Sequence, residues 1–156
     1  MMTVEEKLKS LGLTLPQTPK PVAAYIPAIQ VNDMVYTSGQ LPIVEGELKL
    51  KGKLGKEISK EQGYEAAKIC ALNALSAIKG IIGDLDRIEQ VVKVVGFVAS
   101  AEGFIEQPAV VNGASEFLKE LFGEKGAHAR SAVGMAELPL GAAVELEMIV
   151  RFLFLL

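Results

Sequence analysis

Arg130-Ser-Ala-Val-Gly-Met-Ala-Glu-Leu-Pro139 is followed, after a short gap, by Val144-Glu-Leu-Glu-Met-Ile-Val-Arg-Phe152. Both stretches alternate in the strand period of two. Arg130 to Ala136 and Ala143 to Phe154 therefore read as two strands, with Pro139-Leu-Gly141 as the turn between them. In the first strand Ala132, Gly134 and Ala136 share the parity of Arg130, and Val133 and Met135 take the other. In the second, Glu145 and Glu147 stand opposite Val144, Leu146 and Met148.

The rest of the chain supplies the elements that must pack on these strands. Thr3-Val-Glu-Glu6 and Ser59-Lys-Glu-Gln62 are capping boxes. The first opens a short helix whose Val4, Leu8 and Leu11 share a face, stopped by Gly12. The second opens a long helix with a stripe of Tyr64, Ala67, Ala71, Leu75, Ile78 and Ile82, ended by Gly83. Pro108 starts a third helix, striped by Val110, Ala114, Phe117 and Leu121 and ended by Gly123. Pro16, Pro19 and Pro21 mark an extended connector. Ile29 to Val31 and Met34 to Ser38 are strands around a tight Asn32-Asp33 turn. Leu48 to Leu50 is a candidate third strand in a loose, glycine-flanked hairpin, with Lys49 to Lys56 at the tip. Ile88 to Ser100 is apolar on both parities and reads as a strand buried on both faces.

This order predicts an α+β fold, a mixed sheet with two helices on one face. A single domain over residues 1–156 is expected, with residues 1–15 a helical extension and about 25–152 the core. Two helices cover one face only, yet the last strands carry apolar residues toward both. A bare, small-residue apolar face is normally covered by another subunit, so a homo-oligomer is expected. Dynamic light scattering should give a particle larger than one chain, and a monomer-sized particle would contradict the expectation.

Composition narrows the function classes. The net charge is -3, and no basic face is evident to neutralise phosphates, which argues against nucleic acid as the partner. No apolar run approaches the roughly 20 residues of a membrane span. One cysteine, Cys70, and an N-terminus without a signal-peptide pattern fit a cytoplasmic setting. With one histidine and one cysteine, no metal cluster is expected.

Three motifs resemble the Rid family of reactive-intermediate deaminases, YjgF-like proteins also labelled endoribonuclease L-PSP. One is Arg130 to Pro139 with its closing Val144-Glu-Leu-Glu147. Another is Thr37-Ser-Gly-Gln-Leu-Pro42, and the third is Val111-Asn112 with Phe117. Tyr25 stands at the family's spacing before Ser38. The resemblance implies a chorismate-mutase-like fold and a homotrimer with clefts between neighbouring subunits. It further implies hydrolysis of imines derived from 2-aminoacrylate to 2-keto acids and ammonia, with no cofactor. Carried over, Arg130 holds the substrate carboxylate, Glu145 positions the attacking water, and Tyr25, Ser38, Gly39 and Asn112 line the cleft.

The chemistry of these side chains agrees with those roles. Guanidinium is planar, always charged and grips both carboxylate oxygens, a bond of about 1.5–3 kcal/mol. A positioned carboxylate that takes the proton of an attacking water contributes roughly 10²–10⁴-fold. Taken without the motifs, Arg130 reads as a solvated strand end or ion-pair partner, and Glu145 and Glu147 as outward residues of a half-exposed strand. Asn112 reads as a local helix bond, Tyr25 as packing, and Ser38 with Gly39 as a strand end. Lone His128 reads as a satisfied or exposed ring, and Cys70 as core. Many deaminases of the family carry cysteine where this chain has Ala132, which leaves the substrate side chain open. Two other functions compete with imine hydrolysis: a non-catalytic module binding a small carboxylate, and an endoribonuclease.

Overall fold

Thr3 and Ser59 each open a helix in the way their capping boxes predict. The Thr3 hydroxyl accepts from the Glu6 amide at 3.1 Å, and the Glu6 carboxylate accepts from the Thr3 amide at 3.0 Å. Ser59 and Gln62 repeat the exchange at 3.1 and 2.9 Å. The computed structural model describes residues 1–17 and 24–154. In it α1 spans Val4–Ser10, α2 Lys60–Ile82 and α3 Gln107–Phe122. The strands are β1 Ala28–Val31, β2 Met34–Thr37, β3 Ile43–Val44, β4 Glu47–Leu48, β5 Ile88–Ala99, β6 Ala129–Met135 and β7 Val144–Phe152. Pro19 and Pro21 lie outside the described residues.

Five strands form one mixed sheet in the order β1-β2-β7-β5-β6. All neighbours are antiparallel except β5 and β6, which α3 joins as a parallel β-α-β unit. The stripes of α2 and α3 are buried against this sheet, Tyr64 excepted, which is half-buried. On the sheet side they meet Val35, Val91, Val94, Val98, Leu146, Met148 and Val150, all at most 1% exposed. Burying each such side chain contributes about 1.5–3 kcal/mol. Cys70 lies inside it, its thiol against the Val144 carbonyl at 3.7 Å, and burial pushes the thiol well up. It is a core side chain, as its place beside the stripe predicts.

The close approach of α2 to α3 depends on Gly113. A Cβ there would sit 1.9 Å from the Tyr64 carbonyl oxygen. Gly96 plays the matching part on the sheet, where the Val111 side chain rests in the space a Cβ would fill. Val111 thus seats α3 on β5 and sets where Asn112, its neighbour, meets β6.

Three readings need correction. β5 is not buried on both faces: Ile88, Val91, Val94, Gly96 and Val98 are buried, whereas Val92, Val95 and Phe97 are half-buried. The register against β7 slips between Ile88 and Gln90 and again between Val91 and Lys93. Each slip inserts an extra residue, so one buried face advances in steps of three and then of two, and apolar residues fall on both parities. The expected strand at Leu48 to Leu50 is instead the end of the β3–β4 hairpin, which turns at Glu45 and Gly46, both with left-handed φ. Lys49 to Lys56 is therefore not the hairpin tip. It is an irregular run held by bridges from Lys51 to Ala142 and from Leu54 to Ile58 and Ser100. Finally, α1 ends at Ser10, and Leu11 is 38% exposed rather than on the buried face with Val4 and Leu8.

The sheet face away from the helices is bare within one chain. Ile29, Val31, Tyr36 and Val133 project from it and are 39–52% exposed. Among the described residues no helix is long and apolar enough to cross a membrane.

Candidate active site

Arg130 pairs in register with Val94, whose side chain is fully buried beneath the helices. Paired residues on adjacent strands point to the same face, so Arg130 points toward α3. There its Nη1 donates to the Asn112 Oδ1 at 2.8 Å and to the Ser115 hydroxyl at 3.2 Å. Asn112 and Ser115 are three residues apart and share one face of α3. Among the described residues Nη1 is the guanidinium nitrogen with protein partners. That leaves the Nε–Nη2 edge, the edge whose geometry suits a carboxylate bidentately.

Further along this row Ala132 and Gly134 bring almost no side chain. A Cβ on Gly134 would come within 2.9 Å of the Gln107 amide nitrogen and 3.2 Å of the Ser100 hydroxyl. Gln107 is held there by bonds to that hydroxyl at 3.1 Å and to the Phe104 carbonyl at 2.8 Å. Along the helix-facing row of β6, Arg130 thus stands at one end and Gln107 at the other, with only Ala132 and Gly134 between them.

Glu145 stands elsewhere. It pairs with Phe97, of opposite parity to Val94, and so projects from the bare face of the sheet. Its carboxylate fills the space where a Cβ of Gly39 would be, 2.0 Å from that position. Any side chain at Gly39 would therefore displace the Glu145 carboxylate. The Thr37-to-Gln40 segment is held beside β7 by a pair of backbone bonds between Gln40 and Leu146 at 2.8 and 3.0 Å. The Thr37 hydroxyl adds a bond from the Met148 amide at 3.0 Å. Burial, with the Glu147 charge on the same face adding to it, holds the Glu145 carboxyl above the ordinary carboxylate range.

Ser38 donates its hydroxyl proton to the Ile26 carbonyl at 2.6 Å, and its amide donates to the Pro27 carbonyl at 2.7 Å. These bonds bring the segment carrying Tyr25 beside Gly39, with Tyr25 itself 55% exposed. The structure therefore sorts the expected residues into two groups. Arg130 and Asn112 meet on the helix face; Glu145, Gly39, Ser38 and the Tyr25 segment meet on the other. The sheet separates the groups.

Two residues at the site escaped the motifs. Ser115 touches Arg130, and His128 touches Ser115, with the ring Nε2 2.8 Å from the hydroxyl. The spacing of Ser115 from Asn112 on one helix face was the available signal.

Residues 5–152 match the family described as "YjgF/chorismate_mutase-like, putative endoribonuclease". The chain belongs to this YjgF-like, or Rid, family. Its fold, a mixed sheet with helices on one face, is that of the YjgF/chorismate-mutase-like proteins. It is 41% identical to protein TCP17 of Trypanosoma cruzi over 149 residues, 95% of this chain and 93% of that one. It is 32% identical to a 2-iminobutanoate/2-iminopropanoate deaminase of Dermatophagoides farinae, covering 88% of this chain and 93% of the relative. The crystal structure of Atu1372, a protein of unknown function from Agrobacterium tumefaciens, superposes with a TM-score of 0.90. That pair is 42% identical, with 96% and 93% of the two chains covered.

Proposed function

We propose that this chain hydrolyses small imino acids to 2-keto acids and ammonia, in clefts that form between copies of itself. The observation that carries the proposal is the separation of Arg130 from Glu145 on opposite faces of one sheet. A small imino acid gripped by Arg130 cannot reach the Glu145 of the same chain through the sheet. A second copy docked on the bare face brings its own Arg130 to that carboxylate. The exposed Ile29, Val31, Tyr36 and Val133 support such docking. A closed ring of three, the arrangement the family resemblance implies, buries one such face per subunit.

In the cleft Arg130 takes the substrate carboxylate. The water oxygen bonds to the iminium carbon, and Glu145 accepts the proton that water loses. The resulting carbinolamine takes that proton on nitrogen. Its C–N bond then breaks, the hydroxyl becomes the keto oxygen, and ammonia leaves with the hydroxyl proton as ammonium. The raised proton affinity of Glu145 suits a group that must both take and return a proton. Tyr25, Ser38, Gly39 and Asn112 shape the cleft, Ser38 by holding the Tyr25 segment in place.

The ribonuclease half of the family's description finds little support in the charge distribution. Lys51, Lys53 and Lys56 gather at one groove but share it with Glu57 and Glu137, and Glu137 pairs with Lys53 at 2.9 Å.

Freshly generated 2-aminoacrylate, which tautomerises to the imine, tests the reading. Wild type should release ammonia faster than the uncatalysed reaction, and Arg130→Ala should raise KM by roughly ten- to hundredfold, the worth of one charge-assisted bond. Equal rates for the two proteins would remove Arg130 from the mechanism. Thermal stabilisation by 2-keto acids without turnover would make the chain a carboxylate-binding module.

A further inference from the structure

His128 and Ser115 form a hydrogen-bonded chain that ends on Arg130. The His128 Nδ1 lies 2.6 Å from the Gly126 carbonyl oxygen, and Nε2 lies 2.8 Å from the Ser115 hydroxyl. A carbonyl oxygen only accepts, so Nδ1 must carry a proton. In the neutral ring Nε2 then only accepts, and the Ser115 hydroxyl must donate to it. That leaves a lone pair of the Ser115 oxygen for the Arg130 Nη1 at 3.2 Å. Every donor direction in the chain follows from the Gly126 carbonyl.

The fold supplies these positions independently. Gly126 must be glycine, because a Cβ there would meet the Leu118 carbonyl oxygen at 2.3 Å. It ends the turn after α3. His128 lies two residues before Arg130, so along extended backbone the two side chains share the face toward α3. Ser115 sits in mid-helix, where a free hydroxyl turns to the carbonyl one turn back. The imidazole holds it toward Arg130 instead.

We infer that His128 is a positioning residue: through Ser115 it aims the Arg130 guanidinium so that its Nε–Nη2 edge faces the substrate carboxylate. This inference rests on the proposed role of Arg130 and adds two residues that touch no substrate. Without Ser115 or His128, Asn112 alone holds the Nη1, and the guanidinium swings about that single bond. Binding of the carboxylate weakens, while the step at the imine carbon, which belongs to Glu145, keeps its rate.

Two measurements test it. Long-range proton–nitrogen NMR on the intact protein reports the His128 tautomer without any ligand. Protonation on Nδ1 is expected, and protonation on Nε2 in the neutral ring would overturn the relay whatever the protein's activity. The second measures KM and kcat for the imine together with the affinity for 2-oxobutanoate. Ser115→Ala and His128→Phe should each raise KM and weaken 2-oxobutanoate binding by about tenfold, with kcat within about twofold of wild type. The double variant should be no worse than either single one, because one chain of bonds is broken once. His128→Gln, whose terminal oxygen reaches the Nε2 position, should recover most of the loss. Wild-type affinity in both single variants, or losses that simply add in the double variant, would contradict the relay. If those variants bind normally while Arg130→Ala does not, the relay alone is wrong. If Arg130→Ala also binds and turns over normally, the underlying reading has failed.

Discussion

Glu145→Gln should cut kcat by roughly 10²–10⁴-fold and at the same time raise the melting temperature at neutral pH. The two effects have one cause. The carboxyl is held above the ordinary range first by burial against the sheet and second by the Glu147 charge. Its unfolded counterpart titrates near about 4.3. Between that value and the higher native one, the folded chain binds more protons than the unfolded chain. Stability therefore falls as pH rises through this window, and the loss persists above it. Glutamine keeps the shape beside Gly39 and never ionises, so it removes the loss. Melting curves of the two proteins should coincide near about pH 4, where both side chains are neutral, and separate in favour of the variant by about pH 8. A variant that is less stable than wild type at about pH 8 would mean that the charged carboxylate is satisfied where it stands.

Gly113→Ala should prevent folding or come close to it. In an exposed helix the same change stabilises by about 1 kcal/mol, because alanine restricts the unfolded chain. Here the added methyl would lie 1.9 Å from the Tyr64 carbonyl oxygen. That atom belongs to the backbone of α2, which is packed on the sheet along its length and cannot give by an ångström. The helices must separate, which opens the layer of Ala67, Ala71, Val110 and Ala114 between them. A cost above about 4 kcal/mol is expected, a large part of the stability of a domain this size. Gly80→Ala is the control, an exposed glycine in α2. Denaturant titration should place Gly80→Ala at or above wild type and Gly113→Ala far below it or without a folded baseline.

Much of this was legible before the structure because the signals were periodic. The stripes of α2 and α3, their caps and their terminal glycines fixed the helices, and period-two alternation fixed β6 and β7. The parity of Glu145 against Val144 already placed it off the core face. The β5 bulges were not legible, since a bulge inserts a residue without any residue type marking it, and the only trace was an apolar run on both parities. The expected hairpin was misplaced because its turn uses Glu45 in a left-handed conformation, where asparagine or glycine is the usual sign. At the site, Arg130 and Asn112 came from motifs and do meet. Ser115 and His128 came from no motif, and only the i, i+3 spacing of Ser115 from Asn112 could have pointed to the serine. A helical serine and a single histidine acquire meaning only once α3 lies across β6. Ser38 turned out to spend its hydroxyl on the Ile26 carbonyl, a local bond that the motif does not reveal.

The sharing of each cleft between two chains is the claim on which the rest depends, and mixing two impaired variants, assayed with substrate well below KM, tests it directly. Arg130→Ala keeps Glu145, and Glu145→Gln keeps Arg130. If each site draws Arg130 from one chain and Glu145 from its neighbour, unfolding the two variants together and refolding them as mixed oligomers should restore activity in about a quarter of the clefts. Each variant refolded alone should stay at its own low rate, at least about tenfold below wild type under those conditions. Mixed oligomers of confirmed composition that show no activity beyond the sum of the separate variants would contradict the account and return both residues to a single chain.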